Sequence, residues 1–296
     1  MTEKPNPVLA ASRAFLKRFG ENCGKRLQEI LPEIGLQLHY RRATSYEGAL
    51  LRMKGIPRGY IVLSSEVQEV RRQHFTLGHE IGHYLLPSQQ DLCQPCGKMQ
   101  IESWDEALAK PERDANQFAA EILMPRSIVQ HFHREIPRFK YIEQIAQVCN
   151  TSLTASAYRL CELSSFRVAM VWSEAFRVRW YKPSEEFVRW VRKGSLRPDS
   201  YAFDAFEGRP VPATFESVPA SAWLFETGLK PDARILEHSV AMPNYDGVLT
   251  LLLIPEEIED RASEPLLEEL DPEEFTLRRK TWPSGREFGA RVGIRA

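Results

Sequence analysis

His79 and His83 are separated by three residues, and Glu80 directly follows the first of them. On a helix, side chains four positions apart lie one above the other on a single face. Two imidazole nitrogens can then aim at one point, an arrangement that suits a divalent metal and zinc above all. Glu80 lies about 100° round the helix from His79. From there its carboxylate can reach a water on the metal without taking a metal position. The pattern His-Glu-x-x-His thus supplies two ligands and one general base from a single turn. With 7 His and 40 acidic residues among 296, two histidines and an acid at this spacing are expected about 0.02 times in a shuffled chain. The bland alternative is a pair of core or surface histidines.

A catalytic zinc usually takes three protein ligands and leaves one position open. The extension that would add a third histidine fails, because Leu86 and Gln89 stand in its glycine and histidine slots. The third ligand is therefore expected from another helix. PERDANQFAAEILMP, starting at Pro111, offers the carboxylates of Glu112, Asp114 and Glu121. Glu112 is preferred, since it stands in the first turn, where the backbone is not yet enclosed. Asp114 and Glu121 are expected to face solvent. Asn116, one turn on from Glu112, is placed to hold a ligating imidazole. Ala115, Phe118, Ala119 and Ile122 give this helix an apolar, partly small face for packing on the first. Gly78 and Gly82 each cost a helix about 1 kcal/mol relative to Ala, a cost best tolerated where another element comes close.

The elements that position these residues can be read in outline. Asn6-Pro7 reads as a helix start, and Phe15, Phe19, Cys23, Leu27 and Leu31 mark one apolar face running to about Leu31. Short β-like runs begin at Leu36, Gly48 and Tyr60, and Tyr60–Leu63 is the candidate edge for an extended peptide. The His-Glu helix is expected from about Glu66 to Leu86, and its partner from about Pro111 to before Pro125. Two shorter helices fill Tyr141–Leu163, around the polar turn Asn150-Thr151-Ser152. They have helix-turn-helix spacing, with Thr154, Ser156 and Arg159 as the exposed set. Contact with DNA through 141–163 is one reading, and packing on the preceding helices or docking a partner is the other. From Phe166 onward, strand-like runs alternate with proline-rich turns. The expected class is α+β, divided at 1–125, 126–165 and 166–296.

Composition narrows the function. Lys+Arg is 39 against Asp+Glu 40, a net charge of -1, so a chain-wide electrostatic grip on nucleic acid is excluded. The longest apolar stretch, Val248–Pro255, is far short of the roughly 20 residues a bilayer span needs. No membrane partner and a cytoplasmic location are expected. Five cysteines are too few and unpatterned for a disulfide framework. Cys93 and Cys96 have knuckle spacing, but no second pair accompanies them. The acidic stretch Glu256–Glu274 reads as a solvated surface segment.

RRQHFTLGHEIGHYLL followed by ERDANQFAAEILMP resembles the ImmA/IrrE family of zinc metallopeptidases. His74 replaces the usual Arg and Gly78 the usual Ala, and neither change touches the chemistry. The resemblance covers about residues 5–165 and is most specific over 70–125. It implies His79, His83 and Glu112 as zinc ligands (with Mn²⁺ or another divalent ion as alternatives) and Glu80 as catalytic base. It also implies a zincin-like, gluzincin-type endopeptidase domain over 1–125 and a helix-turn-helix-like subdomain over 126–165. The substrate it implies is a helix-turn-helix repressor of the Xre type, cut once to relieve repression in a stress or mobile-element response. Some relatives carry a GAF-like sensor, which gives 166–296 a sensory expectation. Tyr84, His131 and His133 are candidate oxyanion donors among which the sequence does not choose. The rival functions are a DNA-binding transcriptional regulator, or an antitoxin-like partner-binding protein, with a structural zinc site.

Overall fold

The computed structural model describes residues 6–52, 58–87, 95–96, 110–132, 135–225 and 230–255. Helix α1 (Pro7–Phe19) starts where Asn6 accepts the Val8 N–H at 2.9 Å, with proline at the first helical position. The apolar repeat to Leu31 does not form one helix. Gly20 takes a φ of +85°, which side-chain-bearing residues avoid, and ends α1. The rest of the repeat is carried by a 3-10 turn, the short helix α2 (Leu27–Ile30) and a second 3-10 turn. Phe15, Cys23, Leu27 and Leu31 are nonetheless all buried. Their spacing reports burial, while the glycine decides the geometry.

Three strands follow: β1 (Leu36–Arg41), β2 (Gly48–Arg52) and β3 (Gly59–Ser64). β1 runs parallel to β3, with Leu38 opposite Ile61, and β2 runs antiparallel to it, with Leu50 opposite Ile61. β4 (Pro95–Cys96) lies beside Ala49 and Gly48 on the outer side of β2. The expectation that Tyr60–Leu63 is an open edge is therefore wrong. β3 is an inner strand, its backbone engaged on both sides, because β1 returns alongside it.

Helix α3 (Val70–Leu85) carries the two histidines, and α4 (Lys110–Leu123) carries Glu112. The two pack closely where α3 has its glycines. A Cβ on Gly82 would come within 3.1 Å of Ala115 Cα, and one on Gly78 within 3.4 Å of Ala119 Cβ. The conformational cost of the glycines is thus set against a close helix crossing.

Beyond the short helix α5 (Arg126–Val129) come α6 (Phe139–Cys149) and α7 (Leu153–Leu163). Asn150 ends α6 in the left-handed region at φ 53°, and the Ser152 side chain caps α7 by accepting the Ala155 N–H at 3.1 Å. The helix-turn-helix order is present, but two of the three α7 residues expected at the surface, Ser156 and Arg159, are buried. Arg159 forms ion pairs with Glu121 of α4 at 2.8 Å and Glu162 at 2.7 Å, and donates to the Met124 carbonyl at 3.2 Å. Glu121, expected to face solvent, is instead a partner of this buried cation. Asp114 pairs with Lys110 at 2.6 Å.

His74 of α3 binds these pieces together. One ring nitrogen faces the Asn150 carbonyl at 3.3 Å and the other faces the Gly24 carbonyl. Both partners are acceptors only, so the site asks for a side chain made of donors, as Arg is. His74→Leu should lower stability by about 1–2 kcal/mol, while His74→Arg should keep most of it. Urea denaturation midpoints compare the two, and a Leu variant as stable as the parent would show that the tie contributes nothing.

The remaining described chain forms a six-stranded sheet, antiparallel throughout. Its strands are β5 (Val168–Glu174), β6 (Arg177–Pro183), β7 (Gly194–Ser195), β8 (Glu216–Pro219), β9 (Arg234–Met242) and β10 (Gly247–Leu253), in the order β7-β6-β5-β10-β9-β8. Helix α8 (Tyr201–Phe206) packs beside β9 and β10. Val168, Met170, Leu249 and Leu251 face the core shared with α4, α6 and α7. Ala169, Val171, Val248 and Leu252 belong to a second core with Trp223 and Ala202. Within that core Glu237 accepts from Trp223 Nε1 at 2.6 Å and from the Ala202 N–H at 2.7 Å, which anchors the start of α8. The turn between β9 and β10 reaches back to the start of α3, where Tyr245 Oη donates to Glu69 at 2.7 Å.

Cys23, Cys149 and Cys161 are free and buried, and burial pushes their thiols up to about 11, 11 and 12. They are not thiolates near neutral pH. Cys93, the side chain of Cys96 and the acidic stretch Glu256–Glu274 lie outside the described residues. No described helix is long and apolar enough to cross a membrane.

Candidate metal centre

His79 and His83 sit one turn apart on the face of α3 that meets α4, and both are buried. Their Nε2 atoms face each other at 2.9 Å. The Glu112 carboxylate, from the first turn of α4, approaches the same point, 3.3 Å from His79 Nε2 and 3.5 Å from His83 Nε2. These three donors form the group able to hold a metal ion among the described residues.

The spacing can be tested against a metal's needs. Bonds of 2.0–2.1 Å in tetrahedral directions separate neighbouring donor atoms by about 3.3 Å. The three observed separations bracket that value. The tautomer also fits. Asn116 Oδ1 accepts from His79 Nδ1 at 2.8 Å, which places the ring proton there and leaves the Nε2 lone pair for the shared point. Burial pushes the Glu112 carboxyl up, but its contacts with His79 and then His83 outweigh this and bring it down to about 2. It stands in the site as an anion. Two imidazoles and one carboxylate are a donor set suited to Zn²⁺ that leaves a fourth position for water or substrate.

Glu80 is fully buried on the same turn as His79. Its carboxylate lies against the start of β2, where a Cβ on Gly48 would be 2.7 Å from Glu80 Oε1. β2 is thus a wall of the site, which reading GALLRMK as a plain strand does not reveal. The proposed oxyanion donors are placed less tellingly. The Tyr84 ring lies 5.0 Å from the Arg52 guanidinium carbon, and His131 faces the Ile128 carbonyl at an exposed position. His133 lies outside the described residues.

Asn116 gives a direct check. Asn116→Leu removes the acceptor that orients His79 and should weaken zinc binding about 10–100-fold. Competition with a chromophoric chelator reads this, and unchanged affinity would show that His79 needs no such support.

Residues 32–161 match the family Peptidase_M78, the IrrE N-terminal-like domain. That stretch is a Peptidase M78 domain. The M78 match takes in β1 to β3, both site helices and α6, and ends within α7. No curated protein matches the chain. Among solved structures the chain is similar to a Mycobacterium tuberculosis transcriptional regulator, with 12% sequence identity and a TM-score of 0.50. The similarity covers 89% of this chain and 94% of that one, and at this identity it is a likeness of fold. It therefore extends beyond the M78 domain into the six-stranded sheet.

Proposed function

We propose that the chain is a zinc-dependent endopeptidase that cuts an Xre-type helix-turn-helix repressor in the cytoplasm, in a stress or mobile-element response. The observation that carries this reading is the convergence of His79, His83 and Glu112 within an M78 domain, with Glu80 on the same turn. His79, His83 and Glu112 would hold the zinc, and Asn116 would fix the tautomer of His79. Bound there, zinc supplies Lewis-acid polarisation of a carbonyl and makes water a stronger acid. Glu80 takes the proton from the attacking water and delivers it to the leaving amine.

The domain division 1–125, 126–165 and 166–296 is part of this proposal, as is a GAF-like sensory role for the last segment. The solved structure of similar fold is described as a transcriptional regulator, and cleavage of a repressor is one route by which such an architecture controls transcription. The rival, a DNA-binding regulator with a structural zinc, has to read bases with α7, whose Arg159 is committed to Glu121 and Glu162.

Incubation of the zinc-loaded protein with a candidate Xre-type repressor, with and without chelator, tests the proposal. Mass spectrometry is expected to find two complementary repressor fragments, lost on chelation. A panel of such repressors left intact by zinc-loaded protein would overturn it.

A further inference from the structure

Strand β2 is fastened along α3 at both of its ends. At the first, the Arg72 guanidinium grips Glu47 with two bonds, Nε to Oε2 at 2.7 Å and the second through Nη2, and both side chains are largely buried. At the other, Arg52 donates to the Tyr84 carbonyl at 3.0 Å and to the His83 carbonyl, while its guanidinium lies 5.0 Å from the Tyr84 ring. The two fastenings match in span. From Arg72 to His83 the helix rises about 17 Å, and from Glu47 to Arg52 the strand covers about 17 Å. The strand cannot easily lift away from the helix between them.

Gly48 sits between these ties. A Cβ there would stand 2.5 Å from Thr76 Cγ2, 2.7 Å from Glu80 Oε1 and 3.2 Å from Glu80 Cγ. Thr76 has little freedom to yield, because its hydroxyl donates to the Arg72 carbonyl at 2.9 Å. Gly48 itself is not in the left-handed region, so its backbone does not demand glycine. What demands it is the space taken by Thr76 and Glu80.

We propose that Gly48 is a positioning residue for Glu80: the missing side chain, on a strand tied at Glu47 and Arg52, is the space in which the Glu80 carboxylate keeps its working place. The role of that carboxylate rests on the peptidase reading, but its placement does not. With both ends of the strand held, an added methyl displaces the softest neighbour, the end of the Glu80 side chain. His79 and His83 face α4, where Glu112 lies, and are left alone.

The test compares the parent, Gly48→Ala, Gly48→Ala/Thr76→Ser and Glu80→Gln. Zinc affinity is measured by chelator competition, and the visible spectrum of the Co²⁺-loaded proteins is followed with pH. Gly48→Ala should bind zinc with a loss smaller than the 10–100-fold that follows removal of a ligand-supporting group. Its cobalt spectrum and pH response should move toward those of Glu80→Gln. On a repressor that the parent cuts, kcat should fall about 10²-fold, the scale of a 1 Å misplacement. Thr76→Ser removes the competing methyl contact, so the double variant should stay impaired if Glu80 is what moves. A Gly48→Ala spectrum that matches the parent, or one restored by Thr76→Ser, overturns the proposal. A parent that binds zinc but cuts no repressor removes the peptidase reading alone, since the cobalt comparison still reports where the carboxylate sits.

Discussion

Glu80→Gln is expected to leave zinc binding at the parental level and to slow repressor cleavage by about 10²–10⁴-fold, the usual contribution of a positioned general base. The amide has nearly the size and shape of the carboxylate, so the buried position on α3 stays filled and the fold should persist. What is lost is the ability to accept a proton. Glu80 is fully buried and does not belong to the three-donor group, which is why binding and turnover should separate. The separation also divides the competing functions. A regulator or partner-binding protein with a structural zinc has no use for a base, and its activity would be indifferent to the change. Zinc titration beside fragment analysis reads both halves. Parental cleavage by Glu80→Gln would end the general-base role.

Glu112→Ala should do the opposite, with zinc affinity falling well beyond the 10–100-fold expected for Asn116→Leu and activity lost with the metal. Glu112 is the anionic member of the set, held ionised by the two histidines despite its burial. Without it two imidazoles remain, and the crossing of α3 and α4 has no charge to complete the site. Chelator competition measures the loss. Affinity equal to the parent's would mean that another group supplies the third donor. Glu112→Asp, which keeps the charge but shortens the reach, should fall between the two.

The sequence makes the site legible because its chemistry is local. His79, Glu80 and His83 share one turn, Glu112 and Asn116 share another, and the small residues Gly78, Gly82, Ala115 and Ala119 signal that the helices meet. What escapes the sequence is set by distant pairings. Tyr60–Leu63 has the apolar pattern of a strand, but whether it is an edge depends on where β1 returns, and periodicity carries no information on that. Arg159 and Glu121 each look like solvated charges along their own helices. Only the packing of α7 on α4 makes them a buried pair, with Glu162 as third member. The break after α1 is written in one residue, Gly20, inside a repeat that otherwise continues. Gly48 is the subtlest case: a glycine at the start of a strand reads as a weak strand former, and its meaning lies in a carboxylate 32 positions later.

Strands β5 and β10 are apolar on both faces, and one of those faces closes the same interior that α4, α6 and α7 fill. The Tyr245 hydroxyl adds a second link, to the residue that precedes α3. The two halves therefore cannot behave as beads on a string. Cutting the polypeptide after Leu163 would strand a greasy surface on each fragment, and heat should melt both halves in one cooperative step. A signal that reshapes the sheet would reach the two helices of the candidate metal site through shared packing, without needing a flexible hinge.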